Sequence, residues 1–325
     1  MKNKKPILRG ACITKDFASK FKTSKFYTDI YCKHKDEIIV GIRSDYINLY
    51  YNCDSIAKIS ANKKELEAEI SKYYLNEEKG YHKLSPEKLC DNYKLIKEQS
   101  DKRHKLEKQA QERLVIDNNK NEHSNWYCFD VEYKKAFANL SSRDIGGRFD
   151  IMAISKDYPH KVALIELKYG ASAIGGDSGI RKHVEDFSLF SGKDSKGNSY
   201  FAQLKPEIVS ILNKLELLGI DIPASLKGIK KEDISDAPLF YFITLNNNPL
   251  EGSTNTPKSS MSGYLFIDHR WGCKRLSKVV KQADYFELTK NSKNFHPIFL
   301  FSKAQLPDLG IKDIIDDVLY EKELV

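Results

Sequence analysis

Charged residues set inside two apolar strands constrain this chain more than any other feature. Gly147-Arg-Phe-Asp-Ile-Met-Ala-Ile-Ser and Lys161-Val-Ala-Leu-Ile-Glu-Leu-Lys-Tyr-Gly170 flank a short turn, Lys156-Asp-Tyr-Pro-His160. That pattern predicts an antiparallel hairpin. Alternation puts Leu164, Glu166 and Lys168 on one face of the second strand and Ala163, Ile165 and Leu167 on the other. Asp150 begins the first strand, so folding at the turn carries it towards the end of the second. Asp150, Glu166 and Lys168 therefore converge.

Burying an unpaired charge is expensive, so each of these groups needs a partner or a metal. Two neighbouring carboxylates repel each other, and a divalent cation relieves the repulsion. Mg²⁺ takes carboxylate and water ligands, with Mn²⁺ as a substitute, which makes Asp150 and Glu166 the candidate metal ligands. A lysine beside them would orient a water or balance charge in a transition state. The competing reading is a structural salt bridge from Lys168 to either acid at the rim of a sheet.

Asp150, a gap of fifteen residues, then Glu166-Leu-Lys168 on a hydrophobic strand resembles the PD-(D/E)XK, or restriction-endonuclease-like, nuclease superfamily. The resemblance spans roughly residues 126–190. It implies that Asp150 and Glu166 bind Mg²⁺, that Lys168 sits at the reacting centre, and that the reaction is phosphodiester hydrolysis. A further acid is expected upstream, best matched by Glu132 in Cys128-Phe-Asp-Val-Glu-Tyr133, with Asp130 as the substitute. Phe149 stands where the motif's name has proline, and the downstream Gln-and-Tyr helix motif of RecB-like members is not evident.

After the motif, a glycine-rich segment leads into Ile180-Arg-Lys-His-Val-Glu-Asp-Phe-Ser-Leu-Phe190. Ile180, Val184 and Phe187 form the buried stripe of a helix over 179–190. Its N-terminal end favours an anion, so Lys182 and His183 are candidate substrate contacts. The alternative is a solvated face of i,i+4 pairs, Arg181 with Glu185 and Lys182 with Asp186. His269 and Arg270, at the end of a strand expected over 264–268, are weaker candidates.

Residues 1–60 read as strand-rich, with a hairpin formed by Asp36–Arg43 and Asp45–Asn52. From Lys63 to about Asn119 helix formers take over, with Leu66, Ile70 and Tyr73 or Tyr74 at helical spacing. These are either charged surface helices or an arm that packs on another protomer. Asp117–Asn125 offers a core almost nothing and is the expected boundary. Beyond it the pattern predicts strands at 126–133, 238–245 and 297–301, helices at 206–218 and 309–320, and a loop at 246–262.

The expected architecture is α/β: an N-terminal β-hairpin plus charged-helix module over 1–120, and a restriction-endonuclease-like mixed sheet flanked by helices over 121–325. No apolar run approaches the ~20 residues of a membrane span, and no signal peptide follows Met1, so a cytoplasmic location and no membrane partner are expected. The six scattered cysteines suit a reducing compartment. A net charge of +8 favours a polyanionic partner. The leading expectation is metal-dependent cleavage of nucleic acid, DNA before RNA, by a chain that could pair as a homodimer. The alternative is a non-catalytic nucleic-acid or protein-binding module retaining the nuclease fold.

Overall fold

Thr14 caps the first helix by accepting the Phe17 N–H, and Phe17, Ala18 and Phe21 bury the inner face of α1 (Lys15–Thr23). A π-helical turn, Phe26–Tyr31, runs into one turn of α-helix, α2 (Cys32–His34). These helices correct the strand-rich reading of the first sixty residues. Phe17 to Phe21 and Phe26 to Ile30 are four apart, and all four side chains are buried. The computed structural model describes residues 8–62, 65–137, 145–170, 180–246, 295, 297–301 and 306. The strand expected over 264–268, the helix over 309–320 and the pair His269–Arg270 lie outside them, as does all of the 246–262 loop except Asn246.

The chain divides into two compact units, Met1–Ile116 with Lys205–Lys231 and Asp117–Leu204 with Glu232–Val325. In the first, β1 (Ile39–Ile42), β2 (Ile47–Tyr51), β3 (Asp54–Ala61), β4 (Leu66–Ser71) and β5 (Tyr81–Leu84) form an antiparallel sheet in sequence order. The expected hairpin is β1–β2, with Ile42 opposite Ile47. Within residues 66–84, read as helical, lie two further strands, β4 and β5, with a 3-10 turn at Lys72–Leu75 between them. Leu66 and Ile70 are four apart, a spacing that suits both periods. Ala68 between them completes a period-two stripe, buried while Glu67 and Glu69 are half-exposed. Pairing with β3 and β5 outweighs the helix propensity of Glu and Ala.

Asn52 and Cys53 both take positive φ, 53° and 49°, in the two-residue turn between β2 and β3, as a tight hairpin following strand twist requires. Their N–H groups donate to Glu112 Oε1 at 2.6 Å and Oε2 at 2.8 Å. Helices α3 (Pro86–Asp101) and α4 (Leu106–Lys120) follow, the first capped by Ser85. Residues 205–231 join this unit through Ser210 Oγ to Arg9 O, Lys214 Nζ to Ile13 O and Tyr27 OH to Gly219 O.

The second unit carries β6 (Trp126–Phe137), β7 (Ile145–Ser155), β8 (Val162–Tyr169), α5 (Ile180–Phe190), the start of α6 (Tyr200–Leu217), β9 (Leu239–Leu245) and β10 (Pro297–Phe301). Its sheet order is β10-β9-β8-β7-β6, antiparallel from β6 to β8 and parallel from β8 to β10. β8 is central, and every residue in it but Tyr169 is buried. Parallel pairing after a helical crossover covers both faces of such a strand. The protein is thus mixed α/β with two sheets.

The polar stretch at 117–125 is ordered by hydrogen bonds to the start of β6. Asn118 Nδ2 donates to Trp126 O, and Asn119 exchanges two bonds with the Cys128 backbone. Asparagines that offer a core nothing here satisfy the free backbone groups of an edge strand. Among the described residues, no helix is long and apolar enough to cross a membrane.

A buried acid cluster on the central strand

β7 and β8 pair from Ile154–Val162 to Ile151–Ile165, so the next positions in register are Asp150 and Glu166. The ladder ends there because the Asp150 side chain enters it: Oδ2 accepts the Leu167 N–H at 2.8 Å. Glu166 is 1% exposed. Its Oε1 accepts from Lys168 Nζ at 2.6 Å and lies 2.9 Å from His183 Nε2. Its Oε2 is buried, with no hydrogen-bond partner among the described residues.

His183 reaches the strand because α5 is anchored one turn later. The Phe187 ring packs on Phe149, Phe240 and Phe242, with centroids 5.0–5.5 Å apart. A residue four positions before that anchor shares its helix face. His183 therefore stands on an acid, although the sequence proposed it for a phosphate. The sequence signal for this contact is the spacing of four between His183 and Phe187. The Lys182 side chain lies outside the described ones.

Glu132 falls between the pairs Val131–Ile151 and Tyr133–Phe149, across from Asp150. It is half-buried with φ at +53°, a conformation that costs a non-glycine residue on the order of 1–3 kcal/mol and persists only where its surroundings impose it. A bulge between Cys128 and Asp130 precedes it. Asp130 is buried and accepts from the Val131 N–H. Asp150, Glu166, Lys168 and His183 thus come together, with Glu132 on the neighbouring strand.

Burial raises the Asp150 carboxyl well above the usual carboxylate range, and the charge of Glu166 adds to this. The Leu167 N–H and the Lys168 ammonium pull it down, while Glu132 pushes it up further. Among the described residues, no three His, Cys, Asp or Glu side chains are grouped as a metal cage. The donor chemistry nevertheless suits a hard cation: two adjacent carboxylates, one whose charged form burial disfavours and one with an oxygen that no described group hydrogen-bonds. No protein-family model, no curated protein and no solved structure matches the chain.

Proposed function

We propose that the second unit is a restriction-endonuclease-like, metal-dependent nuclease acting on phosphodiester bonds, DNA before RNA. One observation carries the reading. A buried carboxylate oxygen on Glu166, unsatisfied among the described residues, lies beside an acid whose charged form is disfavoured. A salt bridge built for stability alone would satisfy that oxygen. The mixed sheet, with its acids where the antiparallel pairing of β7 and β8 ends, supports the same reading.

Asp150 and Glu166 would hold Mg²⁺ or Mn²⁺, with Glu132 as the further acid. Bound there, the metal supplies charge for a phosphoryl oxygen and lowers the pKa of a water. Lys168 balances negative charge as it builds on the phosphate. His183, on Glu166 Oε1, fixes the direction in which that carboxylate points.

Asp150→Asn separates function from fold. The amide oxygen can still accept the Leu167 N–H, but the buried charge is gone. Cleavage of a panel of single- and double-stranded DNA and RNA in Mg²⁺ should fall at least about a hundredfold. Mn²⁺ binding by calorimetry should vanish, while the melting temperature holds or rises. Equal cleavage by both proteins rejects the metal site, and so does a loss explained by unfolding.

A further inference from the structure

A second feature lies wholly within the first unit. The sheet of β1–β5 turns Ile47, Leu49, Ile59, Ala68 and Ile70 into the core. Its other face carries the row Asn48, Lys58, Glu69 and Lys83, one residue from each successive strand. On that face is an open cavity of about 570 Å³, with Tyr46, Tyr73, Tyr74 and Tyr81 in its wall. That volume lies within the range of small-molecule sites.

The rings differ in availability. Lys58 Nζ stands 4.6 Å from the Tyr46 centroid, and the Arg103 guanidinium 5.3 Å from that of Tyr73. Tyr74 is buried and bonded to Arg103 through its hydroxyl. Tyr81, on the edge strand β5, is 71% exposed. An aromatic ring this open on an edge strand contributes little to its own fold and leaves a face for another planar group.

Charge narrows the ligand. The cavity wall is balanced, Lys58 and Arg103 against Asp54 and Glu69, so what enters it is neutral, with hydrogen-bonding edges. The stretch of sequence that carries the cavity is not balanced. Residues 1–116 hold 25 Lys and Arg against 17 Asp and Glu, whereas residues 117–325 hold 28 of each. The chain's entire excess of +8 therefore lies in the first 116 residues. A neutral planar group carried on a polyanion is a nucleobase on its phosphodiester backbone, whereas a neutral sugar would leave the charge unused. A base in a duplex has both faces stacked and its edges paired, so only an unpaired base fits.

We infer that this face of the N-terminal sheet binds an unpaired nucleobase of single-stranded nucleic acid, with Tyr81 as the stacking platform and Lys58 and Arg103 at the base edges or adjoining phosphates. The site shares no residue with the acid cluster on β8 and does not depend on cleavage there.

Fluorescence anisotropy tests it on the full-length protein in EDTA, with a labelled single-stranded oligonucleotide as the probe. The matched abasic oligonucleotide, which keeps every phosphate, should bind about tenfold more weakly, and so should the blunt duplex. Tyr81→Ala should weaken binding of the base-containing strand by about tenfold, and Tyr81→Phe should restore it. The melting temperature should not move, because Tyr81 is exposed. Equal affinity for abasic and base-containing strands would reduce the surface to backbone attraction and overturn the proposal. Unchanged binding by Tyr81→Ala would overturn it too, as would no binding of any oligonucleotide alongside binding of an oligosaccharide. With metal chelated throughout, none of these outcomes depends on whether the acid cluster cleaves.

Discussion

In the first sheet, Lys58 and Glu69 face each other across β3 and β4 at 3.6 Å, with 39% and 38% of their side chains exposed. In the second, Lys168 and Glu166 lie on the central strand at 2.6 Å, with 11% and 2% exposed. The residue types are the same and the physics is not. Water screens the first pair, and either member can lose its partner cheaply. The second pair has given up its hydration, so each member depends on the other, and Glu166 also on His183. An antiparallel sheet with one solvated face can carry charges as surface features, whereas a strand covered on both faces carries them only for a reason.

Three measurements would break or sharpen that contrast. The largest effect is expected from Lys168→Ala, which strands Glu166 beside Asp150. Denaturant unfolding should show a loss of about 3–5 kcal/mol, and cleavage measured where the variant is still folded should fall further than stability explains. A loss below about 1 kcal/mol would put the pair on the same footing as the exposed one.

The second measurement concerns Glu112, the acid that accepts both N–H groups of the β2–β3 turn. Burial raises its pKa from 4.5 to about 8, and the two backbone bonds only partly oppose the shift. Folding therefore favours the protonated acid. Its stabilisation is complete below pH 4.5 and is lost as pH rises towards 8, at about 1.4 kcal/mol per pH unit where the slope is steepest. Unfolding of the wild type between pH 5 and 8 should show this decline, and Glu112→Gln should flatten it. An identical slope in both proteins would assign the decline to another group.

The smallest effect is expected from Lys58→Ala, at most about 1 kcal/mol in the same unfolding assay. A cost near that of Lys168→Ala would erase the distinction between the two sheets.

Much of the candidate site was legible because it is local. Asp150, Glu166 and Lys168 belong to one hairpin, and strand alternation with a short turn fixes their convergence without knowledge of the rest of the fold. The strands of residues 66–84 were not legible. Leu66 and Ile70 satisfy a helix and a strand equally, and the neighbours that decide between them lie on β3 and β5. Asn118 and Asn119 read as boundary residues because their value lies in the backbone groups of an edge strand, which composition does not reveal.

The sequence by itself determined that charges would be forced together inside an apolar hairpin, and that lysine would outnumber acid near the N-terminus. Both follow from residue order and count. Only the tertiary structure decided that His183 would meet Glu166 and that Glu166 Oε2 would have no donor among the described residues. It alone gathered Tyr46 before β2, Tyr73 and Tyr74 between β4 and β5, and Tyr81 on β5 around one cavity. Those outcomes depend on which elements pack against which. Packing is set by long-range contacts such as Phe187 on Phe240 and Phe242, whose distance along the chain no local pattern encodes.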